Sequence, residues 1–155
     1  MHKFIKHQRP NAIKFIAMIF FLGLFSLLDI SAQNMWPALA KVTYKKEYDE
    51  LLGIKVDKPI FSKDVKALEG KTIQLRGYII PTDGFKSHSE FVFSAFPYAS
   101  CFFCGKAGPE TVVEVKSNKP IPYTSESISI EGNLKLNGTG INRLMYLLEN
   151  VRKLD

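Results

Sequence analysis

A hydrophobic period of two constrains the fold of this chain more than any other feature of its sequence. Residues 72–80 (TIQLRGYII) alternate polar and apolar side chains, and Pro81 ends the run. Three further strand-like runs follow, at residues 90–94, 110–116 and 128–136. Alternation of this kind between turn residues is typical of β-strands with one buried face. We therefore predict four strands in this part of the chain.

Two of the predicted strands carry a glycine near the middle, Gly77 and Gly132. Such a glycine marks a bulge or a sharp bend, which lets a strand coil around a small barrel. Residues 144–151 fit a helix and a strand alike, but four coiled strands leave a barrel open unless a fifth closes it. We therefore predict a mainly β fold, a five-stranded OB-like barrel over residues 71–155. A β-sandwich would need about seven strands.

Residues 33–70 predict a short helical lead-in packed on the barrel. Apolar residues recur at helical spacing over residues 36–53, and Gly53 is a suitable C-terminal stop. Residues 54–59 predict an extended piece. Residues 61–68 predict one or two helical turns, with Ser62 as the N-cap and Gly70 as the stop.

The first 32 residues have the parts of a secretory signal peptide. Basic residues are followed by an uncharged apolar run over residues 15–28 and by the small residues Ser31 and Ala32. We expect cleavage after Ala32, with an uncleaved membrane anchor as the alternative. No cysteine lies at the expected cleavage site after the apolar run, so we expect no lipid anchor. The protein is therefore predicted to be exported to the periplasm or cell envelope.

The charge of the exported chain argues against nucleic acid as a partner. The leader holds four of the 21 basic residues and one of the 15 acidic residues, so the remaining 123 residues carry a surplus of three positive charges. Nucleic-acid binding needs lysine and arginine clustered on one face. The sequence also has no G-x-S-x-G turn and no phosphate-binding glycine loop, and we predict no enzymatic activity.

The segment between the second and third predicted strands carries the candidate site. It holds both cysteines, Cys101 and Cys104, in a C-x-x-C motif. The motif is surrounded by aromatic residues that predict a docking surface: Phe96, Tyr98, Phe102 and Phe103.

Three interpretations of the C-x-x-C motif remain open. A structural disulfide suits an oxidising compartment, although closing so short a loop contributes only about 2 kcal/mol. Half of a zinc or copper(I) site is the second interpretation, with Glu110 as a further ligand. A thiol–disulfide redox site is the third, but Phe102 and Phe103 would raise the thiol pKa. His88 precedes the second strand and the cysteines follow it, so we expect His88 at the opposite end of that strand.

Three parts of the sequence resemble those of a known protein family. They are residues 68–81 (LEGKTIQLRGYIIP), residues 91–94 (FVFS) and the cysteine-bearing loop. The chain resembles a family of small exported bacterial proteins that is catalogued as a domain of unknown function. The resemblance implies an exported, OB-like single domain, with relatives encoded beside ABC transporters linked to metal supply. It thereby implies a membrane transporter or another envelope protein as partner. Some relatives carry Cys followed closely by His, where this chain has Cys101 and Cys104.

Overall fold

The computed structural model describes residues 34–50, 52–81, 84, 87–138 and 143–154, which all belong to one compact unit, Ala32–Asp155. The predicted signal peptide and its cleavage site lie outside the described residues. The described elements, in chain order, are α1 (Trp36–Leu39), β1 (Val42–Asp49), β2 (Ile54–Phe61), α2 (Lys63–Lys66), β3 (Thr72–Ile80), β4 (Ser87–Ser94), β5 (Val112–Pro122), β6 (Ile128–Leu136) and β7 (Tyr146–Leu154). Neither helix is long and apolar enough to cross a membrane.

Strands β3 to β7 form a closed barrel in the order β3-β4-β5-β7-β6, and β6 pairs with β3 to complete the circle. The pair β5–β7 is parallel, and the other neighbours in the barrel are antiparallel. Inward-facing residues of these strands form the hydrophobic core, as the burial alternation of β3 and β6 shows. The predicted mainly β fold and five-stranded barrel are confirmed.

The predicted strands differ from the observed ones mainly at the ends that adjoin loops. The predictions for β3 and β6 match the observed bounds. Strand β4 begins three residues earlier than predicted, and β7 is shifted toward the C-terminus. Strand β5 starts at Val112 instead of residue 110, because Pro109–Thr111 forms a 3-10 turn, and it continues to Pro122.

Gly77 is the point where β3 changes partner. Residues up to Gly77 pair with β6, whereas Tyr78 pairs with Ser94 of β4. A Cβ atom added at Gly77 would overlap the carbonyl oxygen of Ser94 and lie 3.0 Å from its carbonyl carbon. The bend predicted at this glycine therefore reflects a close backbone approach that closes the barrel.

Gly132, on the neighbouring strand β6, also marks a close backbone approach. The register between β6 and β7 shifts between Glu131 and Asn133, on either side of this glycine. A Cβ at Gly132 would lie 2.8 Å from the carbonyl oxygen of Glu149. The predicted irregularity at this glycine is confirmed, because β7 crosses too closely for a side chain.

Residues of the lead-in pack on the barrel core. Trp36 stacks on Phe93 of β4 with ring centroids 6.5 Å apart, and its indole Nε1 donates to the carbonyl oxygen of Arg76 at 2.9 Å. Leu39 and Val65 are fully buried in the same core. Helix α2 begins as predicted, since the Ser62 hydroxyl accepts from the Val65 backbone N–H at 3.3 Å.

The predicted helix over residues 36–53 is wrong beyond Leu39. Strands β1 and β2 form a separate two-stranded antiparallel sheet, with Val42 opposite Phe61 and Asp49 opposite Ile54. The Asp49 carboxylate accepts from the Leu52 N–H at 3.0 Å, and Gly53 adopts φ 67° in the turn. β-branched and aromatic residues favour strand pairing here, and the pairing outweighs the helical spacing of the apolar residues. The extended piece predicted at residues 54–59 is confirmed as part of β2.

Candidate functional site

Both cysteines lie in the connection between β4 and β5, residues 95–111, which we call the cysteine loop. Ser94 pairs with Val112 at its base, and the Ala95 N–H donates to the Thr111 carbonyl oxygen at 2.9 Å. Within the loop the backbone forms three short 3-10 turns: Tyr98–Ser100, Phe102–Cys104 and Pro109–Thr111. The loop therefore has a defined backbone course between two paired strands.

The middle turn, Phe102–Cys104, determines how the two thiols lie relative to each other. The Cys104 N–H donates to the Cys101 carbonyl oxygen at 3.1 Å, and the Gly105 N–H donates to that of Phe102 at 2.8 Å. Gly105 ends the turn at φ 70°, a conformation that favours glycine. Cys101 precedes the turn as its N-cap in an extended conformation, and its thiol lies close enough to interact with that of Cys104.

The two cysteines differ in exposure. Both are free thiols in the structure, and Cys101 is fully buried whereas Cys104 is exposed. The Cys104 Sγ donates to the carbonyl oxygen of Tyr98 at 3.0 Å. An incoming metal ion or reagent therefore meets Cys104 first.

The pKa of the Cys104 thiol is raised above its ordinary value. The main cause is the loss of water around the sulfur, followed by the charge and hydrogen bonding of the neighbouring Cys101 thiol. The positive charge of Lys106 acts in the opposite direction. At neutral pH these effects favour the protonated thiol over the thiolate.

We expect iodoacetamide to modify Cys104 before Cys101, and to modify it more slowly than a free cysteine in an unstructured peptide. Alkylation proceeds through the thiolate. A raised pKa lowers the thiolate fraction, so the rate should climb steadily between about pH 7 and pH 10. Mass spectrometry of the labelled peptides gives the two rates separately. The Cys104→Ser variant is the control, because its remaining thiol is buried; faster labelling than that of the peptide would favour the redox interpretation.

The aromatic residues of the loop form an exposed rim beside Cys104. Phe96, Tyr98 and Phe103 expose 44%, 58% and 52% of their surface. Phe102 is partly buried and meets Phe103 edge to face, with ring centroids 5.4 Å apart. Three of the four residues predicted as a docking surface are thus accessible, and the fourth supports one of them. We call these four residues the aromatic rim.

Glu110 is not brought together with the two cysteines. Its Oε2 accepts a hydrogen bond from the Tyr44 hydroxyl of β1 at 2.9 Å. In the described ranges no cluster of three or more His, Cys, Asp or Glu side chains is arranged to hold a metal ion. The protein's own described side chains therefore offer a metal ion the two sulfur atoms of the pair, without Glu110 as a third ligand.

His88 lies at the far end of β4, as predicted. It pairs with Ile121 in the β4–β5 ladder, whereas the loop is closed by Ser94 and Val112. Ser94 lies six positions along the strand from His88, a span of about 20 Å. The imidazole Nε2 lies 3.2 Å from the carbonyl oxygen of Gly84. His88 is thus remote from the C-x-x-C motif.

Tyr44 is the residue near the site that sequence reasoning missed. Burial, and then its hydrogen bond to Glu110, raise the pKa of Tyr44 above its ordinary value. The contact links the β1–β2 hairpin to the end of the cysteine loop. The run Val42, Thr43 and Tyr44 favours a β-strand, but the neighbouring apolar residues have helical spacing, which led to the helix prediction.

Comparison with known proteins adds one structural neighbour. No family model matches the chain, and no curated protein matches it. The chain is similar to the crystal structure of a DUF3299 family protein from Pseudomonas aeruginosa PAO1, at 25% identity and a TM-score of 0.41. The match covers 59% of this chain and 66% of the neighbour, slightly under two thirds of its length. The neighbour belongs to a domain family of unknown function.

Proposed function

We propose that the protein is an exported, non-enzymatic OB-like module that binds a soft metal ion, zinc or copper(I), through Cys101 and Cys104. The observation that carries this proposal is the proximity of two free thiols, at the N-cap and the last residue of one 3-10 turn, with Cys104 exposed to solvent. Thiolates at this spacing are common ligands of both ions. The aromatic rim is then the docking surface for an envelope partner such as a membrane transporter.

Thiol chemistry favours metal binding over the redox alternative. A reactive cysteine in a redox motif owes its activity to a lowered pKa. The pKa of Cys104 is raised instead, and its S–H donates to the Tyr98 carbonyl oxygen. A soft metal ion can displace the thiol protons, so a raised pKa lowers the apparent metal affinity at neutral pH without preventing binding.

The barrel topology supports the OB-like part of the proposal. The circular strand order, in which the first barrel strand pairs with both the second and the fourth, matches a five-stranded Greek-key barrel. Such barrels bind their ligands through strands and through the loops between them. The cysteine loop is one of these connecting loops, and it holds the candidate ligands.

We expect the Cys101→Ser, Cys104→Ser double variant to lose zinc and copper(I) binding. Serine keeps the size of the side chain but removes the soft sulfur donor. Titration of the reduced protein with each ion, followed by calorimetry and competition with a chelator, measures the affinity. For the wild type, affinity should increase with pH, because the thiols must lose their protons to bind and the pKa of Cys104 is raised.

The matched control for this experiment is His88→Ala, because His88 lies at the other end of β4. Its metal affinity should equal that of the wild type. If the wild type binds neither ion more tightly than the double variant does, the metal proposal is wrong. A reduction potential of the Cys101–Cys104 pair above about −300 mV would then favour the redox alternative, and a lower one would favour a structural disulfide.

A further inference from the structure

We propose that the hydrogen bond between Tyr44 and Glu110 is a strap that keeps the cysteine loop closed over Cys101, and that its release admits a metal ion to both sulfurs. The metal part of this inference rests on the proposed function and adds how that site is controlled. Cys101 is fully buried, so an ion that meets Cys104 at the surface does not reach the second sulfur while the loop is closed. Binding by both sulfurs therefore requires the loop to open.

The burial of Cys101 depends on the loop and not on the packing of the barrel core. Among the residues that the structure describes, Cys101 is buried but does not belong to the cluster that forms the hydrophobic core. Val112, directly after the loop, is also buried outside that cluster, whereas its neighbour Val113 belongs to it. Successive residues of a strand point to opposite faces, so Val112 points outward and is covered by other parts of the chain. Opening the loop can thus expose Cys101 without unpacking the core.

Glu110 restrains the C-terminal end of the loop by two contacts. Its Oε2 accepts from the Tyr44 hydroxyl at 2.9 Å, which ties the turn Pro109–Thr111 to strand β1. Its carboxylate also lies against Gly108, because a Cβ atom added at this glycine would overlap both carboxylate oxygens. The side chain of Glu110 therefore covers Gly108 while it binds Tyr44.

The charge of Glu110 acts on tyrosines from two different strands. Burial is the largest cause of the raised pKa of Tyr44, followed by the hydrogen bond and the charge of Glu110. Burial, and then the same charge, raise the pKa of Tyr146 on β7. Glu110 thus lies where the β1–β2 hairpin, the barrel and the loop meet. A hydrogen bond with a carboxylate acceptor is stronger than one between neutral groups, which suits a strap.

Two glycines flank the segment that connects the cysteines to the strap. Gly105 ends the turn that holds Cys104, and Gly108 precedes the turn that holds Glu110. Residues 105–108 (GKAG) are therefore a short connection with a glycine at each end. Hinge residues are often small, because they absorb changes in the backbone dihedral angles. The Glu110 carboxylate restrains one end of this hinge, and its release leaves the turn with the cysteines free to move away from the barrel.

Gly108→Ala tests the strap without changing either of its two residues. The backbone of Gly108 has φ −78° and ψ 161°, a conformation that alanine adopts freely. The new methyl group displaces the flexible end of the Glu110 side chain. We expect iodoacetamide to label Cys101 about tenfold faster than in the wild type, a factor that corresponds to about 1.4 kcal/mol for the lost hydrogen bond. The labelling rate of the exposed Cys104 should not change.

Tyr44→Phe removes the same hydrogen bond from its other side and should accelerate the labelling of Cys101 to a similar extent. The double variant Gly108→Ala, Tyr44→Phe should label no faster than either single variant, because both changes break one contact. Tyr48→Phe removes an exposed hydroxyl from the same hairpin and is the matched control. Urea denaturation of each variant measures global stability. Rates that multiply in the double variant, or that only follow the loss of global stability, would overturn the strap.

Titration of the reduced full chain with zinc separates this inference from the proposed function. A protein whose binding-competent state is minor loses apparent affinity in proportion, so Gly108→Ala should bind zinc about tenfold more tightly than the wild type. Removal of a contact that only supports the site would weaken binding instead. Unchanged labelling and unchanged affinity would overturn the strap and leave the proposed function intact. Faster labelling without zinc or copper(I) binding by any variant would overturn the proposed function and the metal part of this inference, with the strap controlling access to the thiol alone.

Discussion

Gly77→Ala is expected to lower the free energy of unfolding by about 3 kcal/mol or more, because overpacking against backbone leaves no flexible group to move aside. The added Cβ would overlap the Ser94 carbonyl oxygen and lie 3.2 Å from Cε1 of Phe93. This overlap is relieved only if β3 and β4 move apart where Tyr78 pairs with Ser94. That pairing also forms the base of the cysteine loop. Loss of stability should therefore be accompanied by faster alkylation of Cys101.

Urea denaturation followed by tryptophan fluorescence measures this effect, since Trp36 packs on Phe93 beside the affected strands. Gly138→Ala is the matched control. A Cβ there would meet Cε2 of Phe61 at 3.6 Å, an ordinary contact distance. Equal denaturation midpoints for Gly77→Ala and wild type would contradict the close approach of β3 and β4.

Tyr146→Ala is expected to cost about 3–5 kcal/mol of stability, the range for removal of a large buried aromatic side chain. Tyr146 is fully buried and packs on Phe61 with ring centroids 5.7 Å apart. Its hydroxyl donates to the Leu39 carbonyl oxygen at 2.7 Å. Tyr146→Phe keeps the ring and removes that hydrogen bond, so it should cost about 1–3 kcal/mol. The residue thus joins the lead-in to the barrel.

The same tyrosine gives stability a dependence on alkaline pH. Burial, and then the negative charge of Glu110, raise the pKa of Tyr146 above its ordinary value of 10.0. The unfolded chain therefore loses this proton at lower pH than the folded protein does. Its contribution to stability is complete below pH 10 and is lost as the pH rises toward the folded pKa.

Denaturation midpoints of wild type and Tyr146→Phe, measured from neutral to alkaline pH, test both statements. The variant should be less stable at neutral pH and should lose stability less steeply above pH 10. Tyr44 contributes to the remaining slope, because its pKa is raised as well. Tyr48→Phe, an exposed position, is the control. Parallel pH profiles for wild type and Tyr146→Phe would show that Tyr146 ionises equally in both states.

The barrel was predictable because its signal is local. Each strand with one face in the core must alternate polar and apolar residues, so the period of two records burial directly. Gly77 and Gly132 interrupt that pattern where two backbones approach closely, and both were recognisable from sequence. The N-cap at Ser62 is equally local, since donor and acceptor lie three residues apart.

The β1–β2 hairpin was not predictable in the same way. Most of its side chains are exposed, so burial imposes no alternation on its sequence. Tyr48 and the residues before the turn also fit a helical face, and spacing alone cannot separate the two. Cross-strand contacts decided in favour of the hairpin, including the ion pair between Lys58 and Glu47 at 2.9 Å.

By itself the sequence determined the strands of the barrel, the spacing of Cys101 and Cys104, and the distance of His88 from them. These features depend on neighbours along the chain, where periodicity and turn geometry act. The tertiary structure alone decided that Cys101 is buried beneath an exposed Cys104, and that Glu110 binds Tyr44, 66 positions away, instead of joining the thiols. Burial and long-range hydrogen bonds arise when distant segments pack together, and no local pattern of residues records them.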